Sequence, residues 1–160
     1  MSFFARNRAF PVLILLLGLF LAASHARAAT VEKLDASGLI KFIVANRGRV
    51  VAVNIFASWC PPCRVEIPGL INIRKNFSRD DVVLLGVSVD KEPRAIDTYI
   101  EEMHINYPVA MGTGDFTQRV GVSAVPHLLV YDREGELKVN HKGLVEEEEL
   151  ERILRDMLAR

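Results

Sequence analysis

Val50-Val51-Ala52-Val53-Asn54-Ile55-Phe56 runs through Ala57-Ser58 into Trp59-Cys60-Pro61-Pro62-Cys63, and the residues that follow, Arg64-Val65-Glu66-Ile67-Pro68 onward, read as a helix. The first seven residues are dense in β-branched side chains and carry no charge, which suits a central strand buried on both faces. Delivering a Cys-x-x-Cys to a helix N-terminus brings sulfur to unpaired backbone N–H groups and the positive end of the helix dipole. A thiolate there is stabilised, and the first cysteine becomes the more reactive. Pro61 and Pro62 are tolerated because first-turn N–H groups lack helical partners.

These are the only two cysteines in 160 residues. A structural disulfide joins distant segments, whereas Cys60 and Cys63 enclose two prolines and remove almost no loop entropy. Redox chemistry is the better reason for them. A c-type haem site requires His directly after the second Cys, and Arg64 stands there. Cys60, Cys63 and His127 form the alternative of a Cu(I) or Zn(II) site, for which thiolate and imidazole are suitable donors.

The chain is 50% hydrophobic and 25% charged, consistent with one globular domain preceded by an unusually apolar segment. Arg6 and Arg8 precede an apolar run from Phe10 to Ala23, and Ala26-Arg27-Ala28 places small residues where a signal peptidase reads. Residues 1–28 are therefore expected to be a signal peptide, with an uncleaved membrane anchor as the alternative, and 29–160 the functional domain. An apolar run of about 15 residues is short for a hydrocarbon core of roughly 30 Å. Without residues 1–28 there remain 17 basic against 20 acidic residues, a formal charge of −3 that provides no basic patch for nucleic acid. Export to the periplasm, in soluble or tethered form, would place the thiols in an oxidising space.

Outward from the cysteines, Thr30–Lys33 is expected to be a short strand. Asp35–Asn46 reads as a helix, capped by Asp35 or Ser37, with Leu39, Ile40, Ile43 and Val44 at helical spacing. The Cys60 helix carries Ile67, Leu70, Ile71 and Phe77, and Pro68 inside it is expected to kink it, separating a mobile first turn from a packed remainder. Asp81–Val89 is a second buried strand, completing a βαβ unit. Pro93 starts a helix with Ile96, Tyr99, Ile100 and Met103 on one face. Tyr107–Met111 is expected to be a strand, Asp115–Arg119 a short helix, Val125–Tyr131 and Glu136–His141 a hairpin, and Glu146–Ala159 a closing helix.

The order strand, Trp-Cys-x-x-Cys, helix with an internal proline, strand, helix, Val125-Pro126, hairpin and final helix resembles the thioredoxin fold. Phe56 to Pro68 is similar to the exported TlpA/ResA/CcmG-like branch of thioredoxin-like proteins. The resemblance implies an α/β domain with a central mixed sheet flanked by helices, and Asp90–Met111 would supply an extra helix and strand after the second βαβ strand. It further implies a thiol–disulfide oxidoreductase in which Cys60 attacks a substrate disulfide and Cys63 resolves the mixed disulfide. No cofactor beyond the Cys60/Cys63 disulfide is expected, and no resident metal.

The same resemblance makes Pro126 a cis-proline facing the pair, leaving the Val125 backbone to bind an extended substrate strand. Glu66, three residues beyond Cys63, shares its helix face and is expected to relay its proton. Thioredoxins proper carry a buried Asp six residues before the first Cys; Asn54 occupies that place here, and an amide cannot take the proton. Trp59 is expected either to shield the pair and present a flat recognition surface or to pack at the rim. His127 points either at the cysteines or into the sheet, and His104 and His141 are expected at the surface. Members of this branch act mostly as reductants, for instance of apocytochrome c cysteines, fed by a membrane thiol carrier. Oxidase or isomerase activity is the alternative. A monomer acting on protein thiols and disulfides is expected.

Overall fold

A computed structural model describes residues 31–159. The expected leader, residues 1–28, lies outside the described residues, and so does Thr30. No helix among the described residues is long and apolar enough to cross a membrane.

Six strands form one mixed sheet: β1 (Glu32–Leu34), β2 (Val50–Phe56), β3 (Val82–Ser88), β4 (Val109–Gly112), β5 (His127–Tyr131) and β6 (Leu137–Lys142). Their order is β1-β4-β3-β2-β5-β6. The β1/β4, β4/β3 and β3/β2 pairs are parallel, and β2/β5 and β5/β6 antiparallel. Five helices connect them: α1 (Ala36–Ala45), α2 (Pro61–Asn76), α3 (Pro93–Met103), α4 (Phe116–Val120) and α5 (Glu147–Leu158). This is the expected mixed sheet flanked by helices. The additional α3 and β4 follow β3, and β4 takes its place between β3 and the edge strand β1.

All seven residues of β2 are buried, because helices cover both faces of the sheet. Alternation along the strand divides them. Val50, Ala52 and Phe56 belong to a core with α2, Tyr99 of α3 and Leu150 and Leu154 of α5, while Val51, Val53 and Ile55 pack with Leu39 and Ile43 of α1 and Phe116 of α4. Asn54 lies in register with Gly86 of β3 on one side and Leu128 of β5 on the other. By the same alternation it faces α2.

Two expected strands start later than the sequence pattern indicated, and proline is the reason in both. Tyr107 precedes β4 because Pro108 has no N–H for the ladder, although its carbonyl accepts from Gly86 N–H at 2.9 Å. Val125 and Pro126 precede β5, joined by a cis peptide bond. Asp35 caps α1 as expected, its Oδ1 accepting from Gly38 N–H at 2.6 Å.

Pro68, expected to kink α2, does not end it. The helix runs through it as 16 residues, and Cys63, Glu66 and Ile67, all before the proline, are as buried as Leu70 and Ile73 after it. Pro68 is exposed, so its ring disturbs no packed face and the first turn is held by the core.

Candidate active site

Cys60 is the N-cap of α2 in extended conformation, with Pro61 and Pro62 in the first turn. Its Sγ accepts from the Cys63 N–H at 3.3 Å, which orients a free helix-end donor at that sulfur. The two cysteines form a disulfide with Cα atoms 5.3 Å apart. Cys60 is the more exposed of the two, but only at 3% against 0%. Trp59 beside it is 68% exposed. The indole is thus turned to solvent and is not rim packing.

The loop before Cys60 is held by a residue that sequence reasoning missed. Asp90, just past β3 and buried, accepts from Ser58 N–H at 2.9 Å, from Ser58 Oγ–H at 2.8 Å and from Ser88 Oγ–H at 2.6 Å. An aspartate followed by Lys91 reads as turn chemistry, and no spacing rule links it to Ser58. Asp90→Ala removes the acceptor for a backbone N–H and two hydroxyls, and is expected to cost about 3 kcal/mol in a urea unfolding series.

Glu66 is 5% exposed. Its Oε2 accepts from Asn54 Nδ2–H at 2.5 Å and its Oε1 from Val145 N–H at 3.0 Å. Burial disfavours the charged form more strongly than these two donors favour it, so the carboxyl is raised from 4.5 to about 7. The sequence placed Glu66 on the Cys63 side of α2 and Asn54 on the preceding strand; their direct bond joins the two. Val145, on the segment leading into α5, contributes only its backbone and left no signal. Tyr107 is also buried, and burial followed by the nearby Glu66 charge pushes its hydroxyl well above the usual tyrosine range.

His127 does not join the cysteines. It is fully buried with Nε2 at 2.7 Å from Asn140 Oδ1 on β6, and alternation puts it with Leu129 on the α1 face, opposite α2. Among the described residues no group of three His, Cys, Asp or Glu side chains is gathered to hold an ion, so the Cys60, Cys63 and His127 set is not assembled. His104 and His141 are exposed, as expected. Val125 and Pro126 precede β5, which pairs with the strand that leads to Cys60.

A mixed sheet in this order, with a disulfide capping the helix that follows its central strand, is a thioredoxin-like architecture. A solved thiol:disulfide interchange protein of the thioredoxin family from Chlorobium tepidum TLS superposes with a TM-score of 0.66 at 27% identity, covering 72% of this chain and 83% of that one. The chain belongs to the Redoxin family, whose sequence pattern matches residues 24–158. It is 24% identical over 110 residues to the thiol-disulfide oxidoreductase ResA of Bacillus thuringiensis subsp. konkukian, an alignment covering 68% of this chain and 64% of that protein's length. It is 29% identical over 142 residues to the thiol:disulfide interchange protein HelX of Rhodobacter capsulatus, covering 87% and 78%.

Proposed function

We propose that the chain is a thiol–disulfide oxidoreductase that acts as a reductant of protein disulfides in an exported, oxidising compartment. The observation that carries this reading is the Cys60–Cys63 disulfide at the tip of α2 with the buried Glu66 one turn further along the helix. In the reduced protein, the Cys60 thiolate attacks one sulfur of a substrate disulfide. A Cys60–substrate disulfide forms and one substrate thiolate leaves. The Cys63 thiol then gives its proton to Glu66 and attacks the Cys60 sulfur, so that Cys60–Cys63 closes and the second substrate thiolate departs. Two electrons pass to the substrate. A carboxyl near 7 takes up and releases such a proton at neutral pH.

Trp59 offers a flat apolar surface beside Cys60. Val125 and Pro126 form the other edge of the substrate site. None of the loop backbone hydrogen bonds among the described residues uses the Val125 N–H or C=O, which leaves both for an extended substrate segment. The leader composition supports periplasmic export, and the family resemblance supports a membrane thiol carrier as electron donor, apocytochrome c cysteines as substrates, and action as a monomer without a resident metal or cofactor.

The purified protein with dithiothreitol is expected to accelerate insulin disulfide reduction and to carry no stoichiometric copper or zinc. Bound metal at one equivalent without insulin reduction would replace this reading with metal delivery.

A further inference from the structure

Beneath the disulfide, the α2 face of the sheet buries a small polar group in an apolar interior: Asn54 at 2%, Glu66 at 5% and Tyr107 at 6% exposure. Two of its atoms, Asn54 Oδ1 and the Tyr107 hydroxyl, are buried with no hydrogen-bond partner among the described residues. The Tyr107 ring lies against the strand beside Asn54. Gly86 is the register partner of Asn54, and a Cβ on Gly86 would stand 3.2 Å from the Tyr107 ring. The same Cβ would meet Phe56 and Val109 at 3.2 Å, so apolar side chains close around this polar group.

The chemistry of the carboxyl makes this arrangement informative. An ionised Glu66 accepts at both oxygens, whereas a protonated one carries an O–H that must donate. The Val145 N–H at Oε1 is backbone and cannot change role. An Asn54 amide fixed with Nδ2–H toward Oε2 would face a donor with a donor once Oε2 is protonated, leaving buried hydrogens unpaired at a cost of about 1–3 kcal/mol. A primary amide has a nearly two-fold head, and reversing it presents Oδ1 to the new O–H.

We propose that Asn54 is the positioning residue for the Glu66 proton, its amide donating to the carboxylate and reversing to accept from the carboxylic acid. The proposal rests on the oxidoreductase reading only for the origin of the proton in the Cys63 thiol. No bond between heavy atoms changes; one proton moves on or off Oε2.

The surroundings isolate the pair from other charges. On α2 the neighbouring reactive group is Cys63. The segment before β4 contributes Tyr107, on whose ionisation Tyr99 of α3 also bears. The α5 side contributes the Val145 N–H, while Glu147 there bonds Asn72 Nδ2–H at 3.0 Å. Burial, Val145 and Asn54 account for the Glu66 shift.

The test is an NMR pH titration of the oxidised full-length protein, following the Glu66 side-chain carboxyl carbon and the Asn54 side-chain NH2. The Asn54 resonances are expected to move with the Glu66 midpoint, near 7. Asn54→Leu is expected to raise that midpoint, by about tenfold in the acid constant, because the amide's bond to the carboxylate is charge-assisted and outweighs its bond to the acid. Asn54 resonances indifferent to the Glu66 titration would overturn the proposal, and this wild-type measurement decides even if Asn54→Leu does not fold. An unmoved midpoint in Asn54→Leu would also overturn it. The titration uses the disulfide form without substrate, so it stands or fails separately from insulin reduction.

Discussion

Cys60→Ala is expected to abolish disulfide exchange, whereas Cys63→Ala is expected to form one mixed disulfide per molecule and stop. The difference follows from position. Cys60 caps α2 beside the exposed Trp59, with a helix-end N–H directed at its sulfur, so it provides the attacking thiolate. Cys63 is fully buried one turn inside and bonded to the sulfur of Cys60. Without Cys60 there is no first attack, and insulin reduction should fall to the uncatalysed rate. Without Cys63 the first attack proceeds and the adduct persists, visible by mass spectrometry as a stoichiometric species that dithiothreitol reverses. Equal adduct formation by both single variants would contradict the assignment of roles.

Glu66→Gln is expected to change stability and rate in opposite directions. The folded carboxyl sits at about 7 against 4.5 for the ordinary group. As pH rises through 4.5 the unfolded chain ionises while the folded protein keeps its proton, so the unfolded state binds fewer protons and native stability falls. The fall continues to about 7 and then ends. At about 1.4 kcal/mol per unit this amounts to about 3 kcal/mol between the two pH values. Glutamine carries no charge to desolvate and retains an acceptor and a donor for Val145 and Asn54. The variant should therefore lack this slope and be about 3 kcal/mol more stable than the parent at pH 8, measured by urea unfolding from pH 4 to 8. It should also slow the Cys63 resolving step, by about a hundredfold, because no acceptor remains for the thiol proton. Unchanged pH profiles would remove Glu66 from the mechanism.

Much of the fold was legible because its elements carry strong local signals. The β-branched run at Val50–Phe56, Pro93 at a helix start and Asp35 at a cap all state their roles within a few residues. Glu66 was legible as a candidate because it lies three residues beyond Cys63, and Asn54 as an amide in the place of an expected acid because it lies six residues before Cys60. What escaped is long-range. Asp90 fixes Ser58 across 32 residues, and the Val145 N–H reaches Glu66 across 79; neither pairing has a local pattern. The insertion of β4 between β3 and β1 is a tertiary choice. His127 was ambiguous because its strand is apolar on both faces, and only the opposing cores separate His127 from Leu128. Pro68, expected to kink α2, does not end the helix, and its exposed position leaves the buried face of α2 continuous past it.

The most direct test of the central claim is the equilibrium redox titration of the Cys60/Cys63 pair against glutathione or dithiothreitol buffers. A reductant is expected to show a single two-electron transition near the thioredoxin value of about −270 mV, poised to reduce other disulfides. A potential near about −120 mV, the range of a strong oxidant, would contradict it.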